Sequence, residues 1–325
     1  MRPRITVPDD FPKVISGTKA EEKLQPIGEV KIYLNRAESQ EELIERIKES
    51  EAVINIRAYT KLTKEVLSSC PNLQLVSIWG TGTDNVDLDA AKELGITVTS
   101  TSIANALSVA EHTITILLAL ARQIPKMDRE VRAGQWPRGE MVQMIGKVMG
   151  IIGLGAIGGH LAWMAKGLGM DVIAWTANPS SERAKATGVR FVSKEELLKT
   201  SDAVCLLLRL NNKTRGFLKK EDFDLMKKTA FFVNTGRAGL VEPGALYNAL
   251  QSNKIAGAAL DVFDQEPLPP GDPLTKMSNV VLTPHNAGMT PEAVINGLMT
   301  AVQNVEDFFA QKEITPSSLV LRGTR

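Results

Sequence analysis

The chain has 325 residues and a mass of 35.3 kDa, enough to bury a sizeable core and to form two domains. Hydrophobic residues make up 43% and charged residues 23%, the balance of an ordinary globular protein rather than a disordered or fibrous one. With 38 Lys and Arg against 37 Asp and Glu the formal charge is +1, which excludes a global field drawing in nucleic acid or a membrane surface and makes any basic site local.

In chain order, the apolar runs ITV near Ile5, VKIYL, AVINI, LVSIW and ITVTS alternate with polar or amphipathic segments. This is a βαβ rhythm and predicts a largely parallel sheet. The stretch SVAEHTITILLALARQIPKMDREVRAGQW then predicts one long helix crossing between domains, with Ser108 as N-cap and Glu111 in capping-box register. Strand rhythm restarts at VMGIIG and continues through DVIAW, VRFV, AVCLLL, AFFVNT, IAGAALDV and NVVLTP. Cys205 lies inside one of these runs, and neither it nor Cys70 has CxxC or metal-ligand spacing. Two reduced thiols, no metal site and a cytoplasmic protein are expected. The segment beginning TPEAVINGLM predicts a second long helix, capped by Thr290 with Pro291 in its first position, that returns the chain to the first domain. The tail Arg322 to Arg325 is expected to fray. The opening MRPRITVPDDFPK lacks an apolar h-region, so no leader is expected, and residues 114–121 form too short an apolar helical stretch to span a bilayer.

Within VMGIIGLGAIGGHLAWMAKGLGMDVIAW, Gly153, Gly155 and Gly158 follow an apolar strand and open a helix, so the G-x-G-x-x-G pattern has its full βαβ context. The three glycines serve a tight turn, close approach of main-chain amides to a pyrophosphate, and close packing of helix on sheet. With Ala156 and Ile157 they form a dinucleotide loop. Asp171 begins the second strand at the end remote from the ligand, which makes it a decoy for the ribose-binding carboxylate. The productive end carries Thr176, Asn178 and, farther on, Arg183. A hydroxyl and an amide suit a ribose 2′-OH, whereas the missing carboxylate and Arg183 suit a 2′-phosphate. NAD and NADP both stay open.

Polar residues that end apolar strands are the natural catalytic candidates: Arg237 after AFFVNT, Asp261 and Glu266 after IAGAAL, and His285 after NVVLTP. A guanidinium, a carboxylate and an imidazole suit hydride exchange at a hydroxyl-bearing carbon, with the imidazole as proton donor and acceptor. Asp264 competes with Glu266 for the carboxylate role. His112 and His160, both on helices, are expected to be packing or surface residues.

The ordered set WGTGTDNVDL, SVAEH, GIIGLGAIG, VNTGRAGLV, GAALDVFDQEPLP and LTPHNAG resembles the D-isomer-specific 2-hydroxyacid dehydrogenase family, which includes glyoxylate/hydroxypyruvate reductases and phosphoglycerate dehydrogenases. The resemblance implies an α/β protein of two Rossmann-like doubly wound parallel-sheet domains. A dinucleotide-binding domain of residues 105–287 is inserted into a substrate domain of residues 1–104 and 288–325, and the expected assembly is a homodimer. It makes Arg237 the substrate-orienting cation, His285 the acid/base and Glu266, in preference to Asp264, the carboxylate that tunes it. Thr235 and Asp261 fall on the cofactor side. Arg57, Ala58, Gly80, Thr81 and Gly82 fall on the substrate side, with the main chain of the glycine-rich loop holding the substrate carboxylate. Trp79 and Tyr59 bring no positive charge for a phosphate, so a small D-2-hydroxy acid is expected over 3-phosphoglycerate. A dinucleotide-sensing interaction protein, the role of some co-repressor relatives, is the alternative.

Overall fold

Each apolar run expected as a strand is one in the computed structural model, which describes residues 2–56 and 59–325. By its internal contacts the chain divides into two compact units, Met1–Asn105 with Met289–Arg325, and Ala106–Gly288.

The first unit is built on β1 (Arg4–Val7), β2 (Glu29–Ile32), β3 (Ala52–Asn55), β4 (Leu75–Ile78) and β5 (Thr97–Ser100), with a further strand, Leu319–Leu321, at the edge beyond β5. The five are parallel in the order β2, β1, β3, β4, β5, a doubly wound arrangement of flavodoxin type, and the edge strand is antiparallel. Central β3, β4 and β5 are buried along their whole length, whereas edge strand β2 alternates. That contrast is why the central strands read as continuous apolar runs. Alternate side chains enter two cores: Val53, Val76 and Val98 one of them, Ile5, Ile54 and Leu75 the other. The helix Pro291–Phe309 closes the second core with Leu298, Ala301 and Val302, and Thr290 caps it by accepting from the Ala293 amide, as expected.

The second unit carries β6 (Val148–Ile152), β7 (Asp171–Trp175), β8 (Arg190–Phe191), β9 (Ala203–Leu206), β10 (Phe231–Asn234), β11 (Gly257–Leu260) and β12 (Val280–Leu282). All pairings are parallel and the order is β12, β11, β10, β9, β6, β7, β8. Counted from β6 this is the 3-2-1-4-5-6 Rossmann order with one strand added, and its switch point lies between β6 and β9. Met149, Ile151, Cys205 and Val233 line one core with the helix Ala106–Ala121, while Val204, Leu206 and Phe232 line the other. No helix among the described residues is long and apolar enough to cross a membrane.

Three local expectations are corrected. The crossing helix is two helices, Ala106–Ala121 and Ile124–Arg132, with Gln123 at φ 52° between them. Pro125 has no N–H to give and its ring would strike the carbonyl four residues back, so the first helix cannot run through it. Ser108 is not an N-cap: a hydrogen-bonded turn from Thr101 leads into a helix that already begins at Ala106. The tail is not frayed. The amides of Thr324 and Arg325 donate to Gly95 O, the Gly323 amide donates to Thr97 Oγ1, and Arg325 Nη1 donates to Pro71 O and Leu73 O. A Cβ on Gly323 would lie 2.2 Å from Gly95 O, so only glycine lets the tail approach this closely.

Candidate active site

The dinucleotide loop leaves β6 at the switch point. Gly153 has φ 106°, and a Cβ there would meet the main chain of Leu207 at 2.9 Å, just beyond β9. The two loops that flank the switch point therefore abut at a residue that must be glycine in both conformation and space. Gly155 is the N-cap of the helix Ala156–Gly167, and a Cβ there would meet nothing within 4 Å. At Gly158 a Cβ would lie 2.4 Å from Gly153 O, so this glycine lets the helix lie against the loop. The result is an open cradle at a helix N-terminus with no side-chain cap, the surroundings a pyrophosphate requires. The residues fit a dinucleotide.

Register decides which downstream residue can reach its ribose. β7 pairs with β6 so that Asp171 stands beside Val148 and Trp175 beside Ile152. Thr176 is thus level with Gly153, whose amide donates to Trp175 O at 2.8 Å. Asp171 is five residues before Thr176, roughly 16 Å along the strand. Thr176 is half-buried and Asn178 exposed; Arg183 is exposed on the helix Ser181–Thr187, its amide donating to Ser180 Oγ.

Neighbouring strands β10, β11 and β12 end side by side, which collects residues far apart in sequence. After β10, Asn234 closes the loop by accepting from the Gly236 amide and donating to Arg237 O, and Arg237 Nη1 donates to Gly236 O at 2.9 Å. Thr235, in the same loop, is 8% exposed, with its hydroxyl 2.7 Å from that of Thr113. After β11, Asp261 is 1% exposed. Its carboxylate accepts from Thr283 Oγ1 (2.7 Å) and from the amides of Asn286 (3.1 Å) and Ala287 (3.0 Å). Its oxygens therefore hold the loop after β12 from within.

That loop carries His285 at φ 53°, a conformation unusual for a residue with a Cβ, and the His285 amide donates back to Thr283 O across Pro284. His285 Nδ1 lies 2.6 Å from Glu266 Oε2, while Glu266 Oε1 accepts from the Phe263 amide at 3.0 Å. Burial pushes the Glu266 carboxyl upward. The hydrogen bonds from His285 and Phe263 and the positive charges of His285 and Arg237 outweigh it and hold the carboxyl below its ordinary value. The carboxylate so fixed orients the ring through Nδ1 and leaves Nε2 for a reacting oxygen. Asp264 makes no such contact with His285 among the described residues.

In the first unit, the expected substrate loop follows β4. Gly80 has φ 133° and its amide already donates to Thr101 Oγ1, so of the three positions only Thr81 and Gly82 offer main-chain donors to a carboxylate. Arg57 and Ala58 lie outside the described residues. Thr283 was not singled out in the sequence, and His112, expected to be a packing or surface residue, is part-buried with its Nε2 3.0 Å from Thr283 Oγ1 and 3.6 Å from Asp261 Oδ1. His160 is exposed on its helix, as expected.

Residues 114–287 match the family model described as D-isomer specific 2-hydroxyacid dehydrogenase, NAD binding domain. A D-3-phosphoglycerate dehydrogenase of Archaeoglobus fulgidus is 40% identical over 269 residues, which cover 82% of this chain and 51% of that protein. This chain thus spans about half the length of that relative. A glyoxylate reductase of Aeropyrum pernix is 39% identical over 290 residues, 85% of each chain. Among solved structures, an acyclic imino acid reductase in complex with NADPH and D-Arg is similar with a TM-score of 0.88 at 29% identity, covering 98% of this chain and 100% of that one.

Proposed function

The chain belongs to the D-isomer-specific 2-hydroxyacid dehydrogenase family, and from that premise we propose that it is an oxidoreductase interconverting a small D-2-hydroxy acid and its 2-oxo acid, of glyoxylate or hydroxypyruvate type, with NAD or NADP. The observation that carries this reading is the His285–Glu266 pair at 2.6 Å on a strand end beside that of Arg237. Relatives named glyoxylate reductase, matched over most of both chains, support a small acid over 3-phosphoglycerate.

A nicotinamide, when bound, would supply hydride exchange at the substrate carbon. Gly155, Ala156, Ile157 and Gly158 would offer their main-chain amides to the pyrophosphate, while Gly153, whose amide is taken by Trp175 O, would serve as the tight turn that lets it approach; Thr176, Asn178 and Arg183 would serve the adenosine ribose. The Arg237 guanidinium grips the substrate carboxylate with paired donors. In reduction His285 passes a proton from Nε2 to the carbonyl oxygen; in oxidation it takes that proton back from the hydroxyl. Glu266 stabilises the ring while it is protonated and keeps Nε2 directed outward. Asp261 acts one step away, by holding the loop on which His285 stands. The second unit exposes Trp136 (79%) and Trp163 (69%), surface that a homodimer would cover.

The test begins with fluorescence titrations of NADH and NADPH, followed by addition of glyoxylate or hydroxypyruvate. Cofactor oxidation by the wild-type chain, falling by about 10²- to 10⁴-fold in His285→Ala at unchanged cofactor affinity, is expected. Unchanged turnover in that variant refutes the assignment. Dinucleotide binding with no turnover on any 2-oxo acid turns the reading toward a dinucleotide sensor.

A further inference from the structure

Two consecutive residues of the helix Ala106–Ala121 reach the loops that carry Arg237 and His285. Thr113 Oγ1 donates to Val109 O at 2.7 Å, so its contact with Thr235 can only be one in which Thr235 donates. His112 faces the other loop. Thr283 has a single hydroxyl proton, and of the two oxygen acceptors within its reach, Asp261 Oδ1 at 2.7 Å and Leu260 O at 3.4 Å, the nearer carboxylate oxygen takes it. At His112 the hydroxyl is therefore an acceptor, and the proton between His112 Nε2 and Thr283 Oγ1 belongs to the ring. The hydrogen bonds thus run in one direction, from His112 to Thr283 to Asp261, and Asp261 in turn receives the amides of Asn286 and Ala287.

This chain ends on the two residues that follow His285. Held at φ 53°, His285 occupies a conformation that persists only where its surroundings over-determine it. We propose that His112 is a positioning residue for His285: by donating to Thr283 it fixes the hydroxyl on Asp261, and so fixes the turn that sets the direction of the His285 ring. The inference rests on His285 being the acid/base of the proposed reaction. His112 touches no reacting atom in it. The arrangement also gives the adjacent Thr113 a matching duty at the Arg237 loop, so one helical turn braces both.

Two substitutions in the full chain separate positioning from packing. His112→Phe keeps the ring volume and removes the donor; His112→Gln keeps a donor. With glyoxylate as substrate, His112→Phe is expected to lower kcat by up to about 10²-fold, the effect of a catalytic group displaced by about 1 Å. The Kd of the reduced cofactor and the KM should stay unchanged, and His112→Gln should recover part of the loss. Wild-type kcat in His112→Phe, or a loss as deep in His112→Gln, overturns the proposal. A second readout needs no turnover. The chain has three histidines, so nitrogen-15 NMR of the imidazoles resolves each ring. His112→Phe must shift the His285 resonances and leave those of His160 in place, whereas unmoved His285 resonances overturn the proposal. If the wild-type chain turns over no 2-oxo acid, the functional reading fails, and the His285 resonances still decide whether His112 positions the ring.

Discussion

Replacing Glu266 by Gln disturbs the site through a count of donors. Glu266 accepts from the Phe263 amide on Oε1 and from His285 Nδ1 on Oε2. A carboxylate meets both donors, but glutamine has one acceptor oxygen and one NH₂ group. If the oxygen keeps Phe263, the NH₂ faces Nδ1, which must then accept, and the ring holds its single proton on Nε2 without a charge. If the amide turns over, its NH₂ opposes the Phe263 N–H, donor against donor. Either way the charge-assisted bond at 2.6 Å is lost, a loss of about 1.5–3 kcal/mol, or about 10- to 150-fold in rate. The two side chains are 33% and 36% exposed, so solvent screens part of the interaction and the lower half of that range, roughly 10- to 50-fold in kcat, is expected. The assay is steady-state reduction of a 2-oxo acid together with a fluorescence titration of the reduced cofactor, whose Kd should not move because its cradle lies elsewhere. A Glu266→Gln variant with wild-type kcat would show that the pair has no part in proton transfer, and the donor-count argument would fail with it.

The glycine loop separates binding from folding. Gly155→Ala places its methyl in open space and should destabilise the chain by at most about 1 kcal/mol. Loss of charge-assisted bonds to a pyrophosphate should nonetheless weaken NADH binding by about 10-fold or more. Gly158→Ala forces its Cβ against Gly153 O and should lose both affinity and about 1–3 kcal/mol of stability; equal melting curves for the two variants would contradict this. At Asp202 burial raises the carboxyl, but bonds from the Val148 amide and Lys227 and the charges of Lys227 and Lys147 hold it below its ordinary value. A depressed carboxyl stabilises fully above the unfolded value of about 3.9 and loses that contribution as pH falls through the folded one. The advantage of wild type over Asp202→Asn in denaturant midpoint should therefore be present at neutral pH and shrink in strong acid, and a gap independent of pH would refute it. Burial pushes the thiols of Cys70 and Cys205 up to about 11 and about 12, so neither should react with a disulfide reagent at mildly alkaline pH until the chain is denatured. Rapid labelling of the native chain would refute that.

The strands were legible because strands of a doubly covered parallel sheet are buried on both faces, and burial shows as an apolar run whatever the neighbours are. The edge strand Leu319–Leu321 was not: it is three residues long and half-buried, and only its antiparallel partner β5 makes it a strand. Strand order was equally hidden. Periodicity marks β10, β11 and β12 but cannot say that they lie side by side, and on that adjacency depends the meeting of Arg237, Asp261 and His285. Residue type at a strand end was enough to mark them as candidates. It was not enough to give Asp261 its place, since its oxygens are committed to the amides of the His285 loop, a fact of three-dimensional pairing.

His112 shows why the supporting residues of a site are harder to read than its centre. A polar residue that closes an apolar strand breaks a pattern and draws notice. A histidine inside a helix breaks none, because amphipathic helices carry polar residues wherever they meet solvent. Its partner, Thr283, is 171 residues away, and what joins them is the position of the Ala106–Ala121 helix against the ends of β11 and β12. The local signal that does exist lies on the other side of the contact. Thr283, Pro284 and His285 form a turn that leaves a bulky residue at positive φ, and such a turn needs donors or acceptors from outside its own segment to keep it. Asp261 supplies the acceptors and His112 orders the hydroxyl between them, so the strain at His285 and the burial of Asp261 are two sides of one arrangement that fixes where Nε2 points.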